Sequence, residues 1–224
     1  MTPEVQFLLS RRPEVSEAAF LAVSRMIKAR ALAVGLEAEL AELNQPEALA
    51  ASAHVAASGG AANDAILSLR GDADNLMTAV AAAGGELDKV ANLAESSVVG
   101  VQRYSVLPGT DPIRLFFGLR RLPRLTREQF QDYWLNKHAE FGRRLIPPYT
   151  YHQLHARGDL TEKAASASGL PASTFDGIVE VHFPDMDALV AQVTKPSVAK
   201  DALEDERNFI DHSRSAFYVY QHIQ

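Results

Sequence analysis

The chain reads as one pattern written twice. The segment FLLSRRPEVSEAAF (Phe7–Phe20) is echoed by FFGLRRLPRLTREQF (Phe116–Phe130). Both read as a strand, a double arginine, a proline, a hydroxyl residue placed to cap, and a helix with Phe on its second turn. Laid side by side, the two segments differ by a single inserted residue. Further on, Asn63–Leu69 followed by Asp72–Val80 parallels Phe175–Val181 followed by Asp185–Val193. Glu86–Tyr104 parallels Leu203–Tyr220, each a polar helical stretch, a Ser turn and a closing strand. Between these landmarks lie two Ala/Ser/Gly-rich stretches, Asn44–Ala62 and Arg157–Thr174, expected to be flexible connections. The repeat length is about 110 residues, and a Pro/Gly linker, Leu107–Pro112, marks the joint. The expectation is therefore two units, 1–107 and 112–224. Each unit reads β-α-β-β-α-β, the order of a ferredoxin-like unit, whose sheet carries helices on one face and needs cover on the other. Packing sheet to sheet supplies that cover. The expected fold is α+β: a fused, pseudo-dimeric barrel of two ferredoxin-like repeats.

Within the second unit, Thr126–Leu145 is the segment with chemistry in it. Thr126 is placed to cap a helix and Glu128 sits in its first turn. At about 100° per residue, Phe130, Trp134, His138 and Phe141 fall in a stripe roughly 80° wide, with Lys137 near its edge. An imidazole on such a face either finds a hydrogen-bond partner in the core or lines a cavity. The repeat favours the cavity. Aligning Phe20 with Phe130 sets Ser24 against Trp134 and Lys28 against His138. A residue the fold required would recur as an apolar one, whereas this pair is lost from the first unit.

Tyr149–His155 (YTYHQLH) alternates, placing Tyr149, Tyr151, Gln153 and His155 on one strand face and Thr150, His152 and Leu154 on the other. This polarity suits a pocket for a polar aromatic or carbonyl compound, or an edge strand with a solvated face. His152 and His155 point to opposite faces and make a poor chelate, and no HExxH is present, so no metal site is expected. His182, His212 and His222 stand singly beside expected strands and read as structural or solvated. Glu204, Asp205, Glu206 and Asp211 read as a charged, solvated face, although Asp211 could orient a neighbour.

Composition narrows the function. The chain has 224 residues, a net charge of -6 and no cysteine. Thiolate nucleophiles, disulfides and thiolate metal centres are excluded, and no basic face invites nucleic acid or an anionic membrane. GxSxG, P-loop and GxGxxG motifs are absent. No run approaches the roughly 18 apolar residues of a membrane span, and Met1–Val15 does not read as a signal peptide. A cytoplasmic, soluble protein is expected.

The second half resembles the EthD domain of the dimeric α+β barrel superfamily. The resemblance rests on Ile113–Leu119, Arg120, Arg121 and Pro123, Thr126–Phe130, Tyr133, Trp134 and His138, then Tyr149–His155, Phe175–Asp185 and Glu204–Ser213. The first half looks like a degenerate copy. The superfamily includes cofactor-independent monooxygenases, isomerases, cyclases and haem enzymes, so the resemblance implies a fold and leaves the reaction open. The leading expectation is a cofactor-independent lyase, isomerase or cyclase acting on a hydrophobic, oxygenated aromatic or cyclic compound. His138 would be the general base and His152 or Tyr151 would polarise an oxygen. Trp134, Phe116, Phe117, Phe141 and Tyr149 would wall the pocket. A cofactorless or haem-dependent oxygenase, and a non-catalytic metabolite binder, are the alternatives. A monomer and a homodimer of the fused chain are equally open.

Overall fold

A computed structural model describes residues 2–49, 59–143, 149–193, 195 and 197–223. The first half runs β1 (Glu4–Leu9), α1 (Glu17–Ala33), β2 (Glu37–Leu43), β3 (Ala65–Arg70), α2 (Ala73–Leu87) and β4 (Ser97–Leu107). The second runs β5 (Ile113–Leu119), α3 (Arg127–Tyr133), a π-helical turn (Trp134–His138), α4 (Ala139–Arg143) and β6 (Thr150–Ala156). It continues with α5 (Gly158–Ser168), β7 (Gly177–Phe183), α6 (Met186–Val193), α7 (Leu203–Glu206) and β8 (Ala216–Ile223).

The local signals are those the residues demand. Ser16 caps α1 by accepting from the Ala19 N–H, and Thr126 caps α3 in a reciprocal box with Gln129. The eight strands close into one antiparallel barrel in the order β1-β3-β2-β8-β5-β7-β6-β4. The halves thus meet edge to edge as well as face to face, β2 pairing with β8 and β4 with β6. Closure removes the unpaired strand edges that open sheets must otherwise protect. β2 (EAELAEL) is a strand that composition alone hides, since its Glu residues are poor strand formers.

The loops that follow β1 and β5 make similar bonds. Ser10 N–H donates to Ser96 Oγ (2.9 Å) and Arg120 N–H to Ser215 Oγ (3.0 Å). Arg11 N–H donates to Asp64 (2.7 Å) and Arg121 N–H to Asp176 (3.0 Å). Arg12 N–H meets the Val90 carbonyl and Leu122 N–H the Phe209 carbonyl, both at 3.0 Å. Arg11 and Arg121, and likewise Arg12 and Leu122, thus make like contacts in the loops after β1 and β5.

The stretch 157–174 is also not a flexible connection. Its middle is helix α5, ended at Gly169 (φ 73°), and Ala164 and Leu170 are buried in the core of the first half. Its small residues permit close approach: a Cβ on Gly84 would lie 2.1 Å from the Ser168 carbonyl oxygen. Of the stretch 44–62, Leu49 is fully buried against the second half, and residues 50–58 lie outside the described ones.

Three cores result. One lies between the first-half strands and α1, α2 and α5, and another between the second-half strands and α3, the π turn and α6. The third fills part of the barrel interior, with Leu8, Ile66, Val99, Phe116, Leu154, Ile178 and Tyr220. The rest of the interior is polar. Gln6 donates to Glu180 (2.8 Å), Arg103 pairs with Glu180 (2.9 Å) and Arg114 with both Glu180 (3.3 Å) and Glu39. Arg114 and Glu180 lie on the neighbouring strands β5 and β7, whereas the other three pairs join strands that are not neighbours and so cross the barrel. Burial pushes the Glu180 carboxyl up, but Arg114 and Arg103 more than reverse this and hold it well below the usual carboxylate range.

Candidate functional site

The π turn decides the site. One extra residue between Trp134 and His138 shifts the hydrogen bond so that Ala139 N–H reaches the Trp134 carbonyl. Phe130, Trp134 and His138 stay buried, as the helical stripe predicts, but the rotation beyond the turn buries Ala139 and Gly142 and leaves Phe141 half-buried. Gly142 sits on the ring of Tyr151, where a Cβ would come within 2.1 Å.

His138 is held by a carboxylate. Its Nδ1 lies 2.7 Å from Asp205 Oδ2, and the Tyr133 hydroxyl donates to the other oxygen, Oδ1, at 2.7 Å. Both histidine and aspartate are mostly buried. A carboxylate accepts only, so Nδ1 carries the hydrogen and the lone pair of the neutral ring lies on Nε2. Phe209 and Phe141 flank the ring, with centroids at 5.0 and 5.3 Å. Burial, the Asp205 hydrogen bond and the Asp205 charge push the Tyr133 phenol above its ordinary range, so Tyr133 remains a donor.

Beneath the helix, the outward face of β6 carries Tyr151, Gln153 and His155. Gln153 Nε2 donates to the Trp134 carbonyl (3.0 Å) and to the Tyr151 oxygen (2.9 Å), and its Oε1 accepts from His155 Nε2 (3.1 Å). His155 stacks on Trp134 with centroids 4.7 Å apart and planes 7° from parallel. Burial pushes the Tyr151 phenol up to about 12. The Trp134 indole N–H lies close enough to oppose that rise without the alignment of a full hydrogen bond. Tyr149 lies farther along, its ring against Phe183 at 4.8 Å.

The barrel separates residues that the sequence grouped. β6 is paired on both sides and buried throughout, so it is not an edge strand. Strand alternation sends His152 into the barrel and Tyr151 out under the helix, so the two do not face one pocket. Phe116 likewise packs inside, its ring 5.8 Å from Tyr220, while Phe117 faces outward against Phe217 and His212. Trp134, His138, Phe141 and Tyr151 remain together. His182 and His222 are not solitary either. Their rings lie 5.3 Å apart, and His182 is 5.7 Å from His152.

Asp205 is the residue that sequence reasoning missed. The acidic run 204–206 read as solvated, yet Asp205 takes His138 and the buried Glu206 takes His212 Nε2 at 2.8 Å. Asp211 accepts from the Ser213 hydroxyl and from Arg214 Nε, both at 2.6 Å. The available signal was two adjacent carboxylates in a segment that also carried the domain resemblance. Among the described residues no group of three His, Asp or Glu side chains is spaced for a metal ion.

The buried histidines set a pH dependence. Burial pushes His155 down to about 4; burial and Arg103 bring His152 to about 4; burial and Arg114 bring His222 to about 3. Each folded value lies below the ordinary 6.5, so the unfolded chain binds protons first as pH falls. Stability is then complete above about pH 6.5 and declines from there toward pH 4, by on the order of 3 kcal/mol for His155 alone. Urea unfolding at pH 7.5, 5.5 and 4.5 checks this. A free energy that does not change down to pH 5 would show that these rings are not held neutral.

Residues 122–213 match the EthD domain family. No curated protein sequence matches the chain significantly. Among solved structures, chlorite dismutase from Candidatus Nitrospira defluvii, in complex with imidazole, superposes with a TM-score of 0.55 at 9% identity, covering 100% of this chain and 91% of that one. A protein from Lactobacillus acidophilus, provisionally described as a monooxygenase, gives 0.56 at 8% identity, covering 99% and 94%. One from Fusobacterium nucleatum, described in the same terms, gives 0.57 at 9%, covering 100% and 92%. No helix among the described residues is long and apolar enough to cross a membrane. The chain thus shares the α+β barrel fold of these structures, and residues 122–213 match the EthD domain family.

Proposed function

We propose that the protein is an enzyme in which the His138–Asp205 pair abstracts a proton from a hydrophobic, oxygenated, cyclic or aromatic metabolite, leading to elimination, isomerisation or cyclisation without a cofactor. One observation carries this reading: the 2.7 Å contact that sets the His138 lone pair on Nε2, amid aromatic rings. Asp205 can neutralise the charge the ring gains on taking the proton, and Tyr133 holds Asp205 in place. Trp134, Phe141 and the neutral Tyr151 phenol supply a mainly apolar wall with a donor. His152, inside the barrel, has no part in this step.

We also read the halves as tandem copies, 1–107 and 112–224, one structural and one working. The matched loop bonds support this, as does the replacement of Trp134 and His138 by Ser24 and Lys28, which instead bond to the Phe20 and Ile223 carbonyls.

The experiment is a thermal-shift screen of phenolic, quinonoid and lactone compounds on the wild type and His138→Ala in parallel. A ligand at 100 times its Kd stabilises by about 2.7 kcal/mol. Hits that depend on His138 support the proposal, and hits indifferent to it support a non-catalytic binder. The second reading, an oxygenase, draws on the fold shared with proteins described as monooxygenases. For haem, an imidazole tied to a carboxylate through Nδ1 has the right donor chemistry. Phe141 and Phe209 pack on the His138 ring and Trp134 stacks on His155, so a macrocycle would meet neither imidazole without displacing one of these rings. A Soret band in the purified protein would overturn that judgement.

A further inference from the structure

The joint between β4 and β5 lies across the polar end of the barrel as an exposed strap. Pro108, Gly109, Thr110 and Pro112 are exposed and Asp111 is half-buried, so the segment gives no side chain to a core. Beneath it, Thr150, His152 and His182 are buried. Gly109 has φ 143°, and a Cβ on it would lie 2.5 Å from Thr150 Oγ1, so the strap rests directly on that hydroxyl.

Histidines hold the strap down. Among the described residues, the hydrogen bonds to residues 108–112 all come from histidine residues. His152 Nε2 on β6 lies 3.2 Å from the Gly109 carbonyl oxygen, and His182 Nδ1 on β7 lies 3.3 Å from that of Asp111. The backbone N–H of His222 on β8 donates to the Pro112 carbonyl at 2.8 Å. A carbonyl oxygen only accepts, so both of those ring nitrogens carry hydrogens. The three rings form a row, His182 standing 5.7 Å from His152 and 5.3 Å from His222.

Two of these rings have no room for a second proton while the strap is down. Arg114 Nε donates to His222 Nε2 at 3.3 Å, a bond that a protonated ring cannot accept. His152 Nδ1 is buried without a hydrogen-bond partner, so burial and then Arg103 oppose a proton there. The charged groups that face the row are Arg103 on β4, Arg114 on β5, Glu180 on β7 and Glu39 on β2. Glu4 on β1 pairs with Arg103, and Asp111 belongs to the strap itself. His182 keeps its Nδ1–H on Asp111 whether or not Nε2, facing Glu180, also carries a proton. Cover and protons therefore compete. Lifting the strap gives His152 to water and restores its ordinary basicity, so acid favours the lifted strap.

We propose that residues 108–112 form an acid-released latch, which lifts from the polar end of the barrel while the strands stay paired. β4 is held by β1 and β6, and β5 by β7 and β8, so the strap can open between them without loss of the sheet. Opening admits water and protons to the buried Glu180 and the two arginines paired with it. The closed values are about 4 for His152 and about 3 for His222, against an ordinary 6.5. One ring that regains the ordinary value raises the opening constant roughly thirtyfold between pH 7.5 and 5.0, and two rings raise it several hundredfold.

The chain has no cysteine, so a single introduced thiol reports the latch. Thr150→Cys places it under Gly109, and Thr110→Cys places it on the exposed strap as the control for thiol chemistry. Ser24→Cys, in the first-half core, is the control for global unfolding. Labelling by 4,4′-dithiodipyridine is timed at pH 7.5 and 5.0 on the full chain, each rate divided by that of Thr110→Cys. The Thr150→Cys ratio should rise roughly thirtyfold or more at pH 5.0, with the Ser24→Cys ratio unchanged. Adding His152→Gln, which keeps a donor for Gly109 but takes no proton, should cut that rise by about tenfold or more. Should that variant fail to fold, the wild-type His222 amide decides. Its hydrogen exchange, corrected for the intrinsic rate, should quicken by the same factor. An unchanged Thr150→Cys ratio, a parallel rise in Ser24→Cys, an undiminished rise with His152→Gln, or His222 exchange that does not quicken would each overturn the proposal.

Discussion

Glu180→Ala will cost about 3–5 kcal/mol of folding free energy, the range expected when one partner of a buried ion network is removed. Glu180 is fully buried and joins Gln6, Arg103 and Arg114, which lie on three different strands from both halves. Its removal leaves two guanidinium groups in a low-dielectric interior with Glu4 and the part-exposed Glu39 as their remaining anions. A domain of this size has roughly 5–15 kcal/mol in total, so the variant should unfold at a much lower urea concentration. Urea melts at pH 7.5 measure it. A loss below about 1 kcal/mol would mean that the network is solvated and does not clasp the halves. Replacing Glu180 and its partners together by apolar residues should cost less than the single change, because no charge is then stranded.

Asp205→Asn should lower kcat by on the order of 10²–10⁴ on any substrate the screen identifies, with KM changed little. The side chain keeps its shape, but an amide can donate to His138 Nδ1 and so move the ring hydrogen to Nε2, where the lone pair is needed. Tyr133→Phe should have a smaller effect in the same direction, since it loosens Asp205 without changing the tautomer. The 15N shifts of His138 report the tautomer without any substrate and separate the two possible failures. A variant with the expected tautomer change and unimpaired turnover would remove Asp205 from the mechanism. Full turnover in His138→Ala would remove the base itself.

Several elements were legible because they are local. Ser16 and Thr126 announce helix starts, and Ile113–Leu119 is too apolar and too short for anything but a buried strand. The stripe Phe130, Trp134 and His138 follows from helical spacing and survives the π turn, whereas Phe141 beyond it does not stay in register. Helix α5 escaped notice because Ala and Ser suit a linker as well as a helix pressed against Gly84. β2 escaped because its glutamates become interior or rim groups only after the barrel closes.

The sequence by itself determined the helix caps, the apolar strands and the face that β6 gives to Tyr151 rather than to His152. These depend on neighbours within a few residues and on periods of 2 and 3.6. Tertiary structure alone decided which side of the closed sheet each face occupies. It paired Asp205 with a histidine far earlier in the chain, and it gathered Glu4, Gln6, Arg103, Arg114, Glu180 and three histidines at one end of the barrel. Pattern identifies a face as polar but does not say whether it meets water or another polar face. Only closure of the barrel, which brings strands that are not neighbours within hydrogen-bonding distance, answers that.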